Sequence, residues 1–135
     1  MSVGILLITH GNIGGDLADT ARNVLGADPL AIAQLSVTPS DNPDQVLEKA
    51  KTLCRQLDEG DGVLVITDMF GSTPSNIACR LNQLPGVRIL AGLNLPMLIR
   101  VLNYPTLSLD ALCAKALSGG HDGVLDCQQS AASRS

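Results

Sequence analysis

The stretch ILLITHGNIGG, residues 5–15, decides how the rest of the chain is interpreted. Four aliphatic residues run directly into Thr9, His10 and a turn that contains three glycines. A short apolar run that ends at a glycine turn is typical of a strand buried on both faces, as in a parallel sheet. The chain contains two histidines, and one of them stands where this strand gives way to the turn, which marks the point as a candidate site.

The length and composition indicate a single α/β domain with an aliphatic core. The chain has 135 residues, of which 45% are apolar, and a chain of this length usually forms one domain. Tyr104 and Phe70 are the only aromatic residues, so leucine, valine, isoleucine and alanine must fill the interior. We predict one domain over residues 1–126, followed by a frayed polar tail, CQQSAASRS, over residues 127–135.

Charge and cysteine placement exclude several classes of function. The net charge is -4 and no cluster of lysine or arginine stands out, which argues against a nucleic acid or an anionic membrane as a partner. We find neither a signal peptide nor a run long enough to span a bilayer, and expect a cytoplasmic protein that does not insert into a membrane. The separate cysteines lack metal-ligand spacing and indicate reduced, mostly buried thiols; they are Cys54, Cys79, Cys113 and Cys127.

Apolar runs and helical periodicity alternate along the chain. Short runs rich in valine, isoleucine and leucine, bounded by turns, predict strands at residues 3–8, 30–37, 63–67 and 87–91. The 3.6-residue apolar period, with start signals such as Asn42 before Pro43, predicts five helices. Their approximate ranges are 17–25, 46–57, a helix from residue 73, 96–103 and 109–118.

This alternation predicts the fold. Right-handed crossovers between successive strands give an α/β protein with a doubly wound open sheet that is mainly parallel. A domain of this size most often has the strand order 2-1-3-4, in which the order reverses between the first and third strands. We also predict a short C-terminal strand over residues 123–126.

The residues that leave the first and third strands form the candidate site. Ligands of open parallel sheets bind beyond the carboxyl ends of the strands, where the strand order reverses. The first strand leads into THG at residues 9–11 and the third into TDMFGSTP at residues 67–74, so we expect His10 and Asp68 to face each other. A carboxylate bonded to one imidazole nitrogen fixes the tautomer and leaves the other nitrogen as a nucleophile.

The turn after the aspartate adds features that suit a phosphoryl group. Ser72 and Thr73 precede Pro74, which opens a helix, so hydroxyls and backbone amides converge near the histidine. Gly11 and Gly71 leave room for phosphate and allow the left-handed backbone that tight turns need. The combination predicts a histidine that accepts a phosphoryl group.

Structural roles are compatible with several of these residues. Asp68 could close a turn, and Ser72 or Thr73 could cap the helix that follows, a role that does not exclude phosphate binding. Met69 and Phe70 could belong to the core or form an exposed apolar pair that carrier proteins contact. Sequence alone leaves both alternatives open.

Three separated motifs carry a resemblance that covers almost the whole chain. They are the strand ending in THG, the segment VITDMFGSTPSN at residues 65–76, and AGLNLPMLIRVL at residues 91–102. In this order they resemble the IIA components of the mannose family of the bacterial phosphoenolpyruvate-dependent sugar phosphotransferase system. The resemblance implies that His10 takes a phosphoryl group on Nε2 from the carrier HPr and passes it to a IIB partner, here on a separate chain.

The same resemblance assigns roles to the other site residues. Asp68 would contact the second imidazole nitrogen, while Ser72, Thr73 and backbone groups of the turn would hold the phosphate, without a metal or other cofactor. The family's usual Gly-Gly-Ser-Pro run is replaced here by GSTP at residues 71–74, which leaves the phosphate-binding hydroxyl open. The resemblance also implies a homodimer in which residues 120–126 pair antiparallel with the partner's sheet.

Sequence alone leaves other functions open. A regulatory phosphoprotein of the same fold would use the phosphorylation state of His10 to control partner binding without sugar transport. A histidine phosphatase would need an arginine where Thr9 stands. Passive binding of a nucleotide or flavin is a further alternative, but HGNIGGD lacks the GxGxxG spacing and the chain has few aromatic residues to stack on a flavin. The sequence does not show which sugar, if any, is transported.

Overall fold

The centre of the fold is a four-stranded sheet in which every strand is parallel to its neighbours. The computed structural model describes residues 2–128, and its strands are β1 (Gly4–His10), β2 (Ile32–Val37), β3 (Val63–Thr67) and β4 (Val87–Ala91). Their order is β2-β1-β3-β4, so the order reverses between β1 and β3. The predicted doubly wound sheet with strand order 2-1-3-4 is confirmed.

Helices cover both faces of the sheet. They are α1 (Ile13–Leu25), α2 (Pro43–Leu57), α3 (Thr73–Cys79), α4 (Leu95–Leu102) and α5 (Leu109–Asp122), with a 3-10 turn at Arg80–Gln83. Alternate residues of β1 point to opposite faces: Ile5 and Leu7 share a core with α1, α4 and α5, and Leu6 and Ile8 share one with α2 and α3. Burial on both faces explains the continuous apolar run of this strand. Within residues 2–128, no helix is both long and apolar enough to cross a membrane.

Side-chain caps fix the starts of α2, α3, α4 and α5, and two of these caps are made by asparagine. Asn42 accepts a hydrogen bond from the backbone amide of Asp44 at 2.9 Å, at the start of α2. Asn94 accepts from the Met97 amide at 2.8 Å and donates from its own amide group to the Gly120 carbonyl at 3.1 Å. The predicted helix start at Asn42 is confirmed, and Asn94 also ties α4 to α5.

The C-terminal strand predicted over residues 123–126 is wrong for the single chain. The helix α5 continues through Asp122, because Gly120 lets it pack closely on α4: a Cβ at Gly120 would lie 2.8 Å from the Met97 side chain. Residues 124–126 have no regular secondary structure, since a strand forms only beside a hydrogen-bonding neighbour. Pairing of this segment with a second chain stays a prediction.

The predicted C-terminal tail falls largely outside the described part of the chain. Cys127 and Gln128 are exposed and helical, whereas residues 129–135 lie outside the described residues. Fraying of the tail and the domain boundary at residue 126 therefore stay predictions.

Two of the four cysteines are buried. Burial raises the pKa of the Cys54 thiol to about 11 and also raises the pKa of Cys113, so both thiols stay protonated at neutral pH. Cys79 and Cys127 are exposed, and all four thiols are free. The expectation of mostly buried thiols therefore holds for half of them.

Candidate functional site

The candidate site lies at the carboxyl edge of the sheet, between β1 and β3. His10 is the last residue of β1, and Asp68 follows directly after the end of β3. The carboxylate oxygen Oδ2 of Asp68 lies 2.8 Å from Nδ1 of His10 and also accepts a hydrogen bond from the His10 backbone amide at 3.1 Å. The strand order thus brings together the two residues that the sequence pairs at this edge.

The surroundings of Asp68 keep its carboxyl group ionised. Burial raises its pKa, but the hydrogen bonds from the His10 ring and backbone amide outweigh burial and leave the pKa below its usual value. The second oxygen, Oδ1, accepts from the Met69 amide at 3.1 Å. Because an ionised carboxylate only accepts hydrogen bonds, Nδ1 of the neutral imidazole must carry the proton, and Nε2 is left unprotonated.

The second ring nitrogen of His10 is accessible. Nε2 has no hydrogen-bond partner among residues 2–128, and the side chain is 45% exposed. The ring borders a cleft of about 410 Å³ whose other walls include Val37, Thr38, Asp41 and Thr73. A group bound to Nε2 therefore has space beside the protein surface.

Two glycines shape the turns that enclose the site. Gly11 has φ 49° and its amide donates to the Val37 carbonyl at 3.1 Å. Gly71 has φ 84°, and a Cβ at either glycine would meet no atom within 4 Å. Glycine is therefore required here for the left-handed backbone, which costs other residues about 1 kcal/mol or more, and both positions border open space.

The structure separates the roles of the two hydroxyls that precede Pro74. Ser72 is buried, donates its hydroxyl to the Met69 carbonyl at 2.6 Å and accepts from the Ser75 amide at 3.4 Å. Thr73 is exposed and lines the cleft with the histidine. Ser72 therefore caps α3, whereas the Thr73 hydroxyl is placed where a ligand of the cleft can reach it.

Apolar side chains are exposed beside the site. Phe70 is 80% exposed, and Met69 and Ile13 are also exposed. All three follow closely on the carboxyl ends of β1 and β3. Of the two interpretations of Met69 and Phe70, the exposed apolar pair is therefore the one that the structure supports.

Two residues of the cleft, Thr38 and Asp41, were not among the predicted site residues. They belong to the loop after β2, and the Thr38 amide donates to Asp41 Oδ2 at 2.8 Å. The predicted strand order could have indicated both residues, because the order 2-1-3-4 places the end of the second strand beside the end of the first. The cleft that His10 borders is thus also lined by the carboxylate residue Asp41.

Fold and geometry together define a class: a doubly wound α/β protein that presents a carboxylate-oriented histidine where its strand order reverses. Comparison with known families gives the particular family. The model of the EIIA-man family, described as the PTS system fructose IIA component, matches residues 4–117. The chain belongs to this family.

Individual relatives agree with this assignment. The PTS system mannose-specific EIIAB component of Escherichia coli K12 is 32% identical over 127 residues, or 92% of this chain, which spans 39% of that relative's length. The transcriptional regulatory protein LevR of Bacillus subtilis is 36% identical over 118 residues, which cover 82% of this chain and 12% of LevR. The mannose/sorbose-specific IIA subunit from Enterococcus faecalis superposes with a TM-score of 0.82 at 26% identity, over 93% of this chain and 95% of that one.

Proposed function

We propose that the protein is a phosphoryl carrier of a sugar phosphotransferase system. Nε2 of His10 accepts a phosphoryl group from an HPr-type carrier and passes it to a IIB component. One observation carries the proposal: the Asp68 carboxylate holds Nδ1 at 2.8 Å, which leaves Nε2 as the unprotonated and accessible nitrogen. The family assignment and the mannose-specific relative support it.

Transfer to His10 is a substitution at phosphorus between two imidazoles. The lone pair of Nε2 attacks the phosphorus of the donor phosphohistidine, the new N–P bond forms as the donor N–P bond breaks, and the donor imidazole leaves with the bonding pair. The proton stays on Nδ1, where the Asp68 carboxylate balances the positive charge on the ring. In the second transfer the acceptor group attacks the phosphorus and the His10 imidazole leaves with the bonding pair. Each step forms one bond to phosphorus and breaks one, so no metal or other cofactor is needed.

The phosphoryl group occupies the cleft beside the histidine. Thr73 lines the cleft and offers an exposed hydroxyl, and Ser72 holds the turn by capping α3. Gly11 and Gly71 lie in the turns that follow His10 and Asp68, where a Cβ would meet no atom within 4 Å. Asp41 lies on the same cleft. Its negative charge favours partners that bring positive charge to the site together with the phosphoryl group.

Partner recognition uses the surface around the histidine. Met69 and Phe70 give it an exposed apolar centre of the kind that protein complexes bury. The segment that pairs with a second chain is shorter than residues 120–126, because residues 120–122 lie within α5. Residues 123–126 supply the pairing, so the active form is a homodimer. The free thiols suit a reducing, cytoplasmic location.

A regulatory phosphoprotein is the second candidate. The 36% identity with the transcriptional regulatory protein LevR favours it specifically. In that case the phosphoryl group on His10 controls the binding of a target protein and is not passed to a IIB component. Two measurements separate these functions. A carrier loses its phosphoryl group to a IIB protein within a catalytic cycle. A regulator binds its target protein with a different affinity before and after phosphorylation.

Phosphorylation of the purified protein tests the proposal. The protein is incubated with phosphoenolpyruvate, enzyme I and HPr, and an acid-labile adduct is located by mass spectrometry. We expect one adduct on the wild type and on the matched control His121→Ala, whose histidine is exposed and outside the site, and none on His10→Ala. An adduct that persists in His10→Ala, or its absence from the wild type, refutes the proposal.

A further inference from the structure

Gln34 holds the turn that follows His10, although it lies on a different strand. Its side chain extends from β2 over the first turn of α1 and is half-buried. The side-chain nitrogen Nε2 donates to the Gly11 carbonyl at 3.2 Å and to the Ser36 hydroxyl at 2.8 Å. Because a carbonyl oxygen only accepts hydrogen bonds, the amide must present its nitrogen to Gly11.

Ser36 extends this network to the next residue of the turn. Its hydroxyl accepts from Gln34 and donates to Asn12 Oδ1 at 3.4 Å. Asn12 is the N-cap residue of α1, yet its side chain makes no capping hydrogen bond; the buried Thr9 hydroxyl accepts from the Gly14 amide instead, at 2.9 Å. Both residues that follow the histidine are thus held by side chains of β2.

Packing leaves Gln34 little freedom. A Cβ at Gly14 would lie 3.0 Å from Gln34 Cγ and 3.0 Å from Thr9 Oγ1, so α1 begins in direct contact with both side chains. Both backbone polar groups of Gly11 are hydrogen-bonded: its carbonyl accepts from Gln34, and its amide donates to the Val37 carbonyl at 3.1 Å. The turn therefore has one defined position relative to β2.

The position of this turn sets how His10 meets Asp68. One oxygen, Oδ2, accepts from the His10 amide at 3.1 Å and lies 2.8 Å from Nδ1. Two bonds to one atom constrain the backbone and the ring together, so a displaced Gly11 peptide misaligns the ring. Displacement of a reacting group by even 1 Å is costly in an enzyme site, about 10²-fold in rate.

We propose that Gln34 is a positioning residue of the phosphoryl-transfer site: it holds the Gly11–Asn12 turn and so keeps His10 in the tautomer and orientation that expose Nε2. The kinetic part of this inference rests on the proposed function. An apolar side chain would pack on this face of β2 without any need for hydrogen bonds. The side-chain amide of Gln34 is therefore needed for its hydrogen bond to the turn.

Three variants test the role of Gln34. Gln34→Leu keeps the approximate size of the side chain and removes both hydrogen bonds. Ile32→Ala is the matched control, because Ile32 packs on the same side of the sheet at the far end of the strand. Ser36→Ala is a milder second variant that breaks the link to Asn12. Two quantities are measured: the tautomer of His10 by ¹⁵N NMR of the unphosphorylated protein, and the single-turnover rate of transfer from phospho-HPr.

We expect the wild type and Ile32→Ala to hold His10 in one tautomer, with Nδ1 protonated. Gln34→Leu should give a mixture of tautomers and about tenfold slower transfer, because the His10 ring is then misaligned for part of the time. Ser36→Ala should give a smaller change in the same direction. A single tautomer with an unchanged rate in Gln34→Leu, or an equal loss of rate in Ile32→Ala, overturns the inference. If the wild type accepts no phosphoryl group, the proposed function fails, and the tautomer comparison still decides the role of Gln34.

Discussion

The Asp68 carboxylate should speed transfer to His10 because it stabilises the charged imidazole. Asp68→Asn keeps the shape of the side chain and can still accept a hydrogen bond, but removes the charge beside Nδ1. Hydrogen bonds to charged groups are worth about 1.5–3 kcal/mol, so we expect the single-turnover rate from phospho-HPr to fall by about 10- to 100-fold. The control is Asp61→Asn, the same change at an exposed carboxylate before β3. Equal rates in both variants would show that the charge at Asp68 plays no part.

The depressed pKa of Asp68 also predicts how stability depends on pH. Burial raises this pKa, and the hydrogen bonds from His10 lower it by more. A depressed pKa means stabilisation that is present above the unfolded-state pKa, about 3.9 for aspartate, and is lost as the pH falls through the folded-state pKa. We therefore expect the difference in unfolding free energy between the wild type and Asp68→Asn to shrink below about pH 4, as measured by urea denaturation across a pH series. A difference that grows on acidification would have the wrong sign.

Removal of the Ser72 hydroxyl and removal of the Thr73 hydroxyl, both at the start of α3, should have different effects. Ser72→Ala removes the helix cap, so we expect a loss of about 0.5–2 kcal/mol in the free energy of unfolding and a smaller effect on phosphoryl acceptance. Thr73→Val keeps the shape of an exposed side chain, so stability should hold while acceptance slows. Urea denaturation and single-turnover kinetics on both variants check this. Slower transfer in Ser72→Ala alone would assign the phosphate contact to Ser72.

The order of helices and strands along the chain could be predicted because each element has its own apolar pattern and start signal in the sequence. The run at residues 5–8 is apolar throughout since both faces of β1 are covered, and Asn42 marks the start of α2 by its side-chain cap. Strand order then follows from right-handed crossovers and the size of the domain. The same order brings His10 and Asp68 together, so the pairing of these two residues at the candidate site could be predicted as well.

Other features depend on tertiary contacts that no local pattern records. Gly119 and Gly120 resemble turn residues in the sequence, yet they lie within α5 and let it pack closely on α4. The roles of Ser72 and Thr73 could not be predicted for a different reason: the cap of α3 is made by local hydrogen bonds, but either of the two adjacent hydroxyls could have supplied it. Asp41 enters the cleft because β2 lies beside β1 in space, far from it in sequence.

Assembly of the whole molecule should depend on the segment after α5. Val124 and Leu125 are exposed apolar residues, and β4 forms one edge of the described sheet. If this segment pairs with a second chain, the wild type should sediment as a dimer, and the double variant Val124→Lys with Leu125→Lys as a monomer. Val24→Lys, on an exposed position of α1, is the control and should remain dimeric. Analytical ultracentrifugation decides, and a wild-type monomer would count against the homodimer.

We propose that Asp68 holds Nδ1 of His10 and so leaves Nε2 as the phosphoryl acceptor. The measurement that tests it most directly is NMR of phosphorus–nitrogen coupling in protein labelled with ¹⁵N at its histidines and phosphorylated with phosphoenolpyruvate, enzyme I and HPr. The geometry predicts coupling of phosphorus to Nε2 of His10, with the proton still on Nδ1. Coupling to Nδ1 of His10, or to either nitrogen of His121, would contradict the claim.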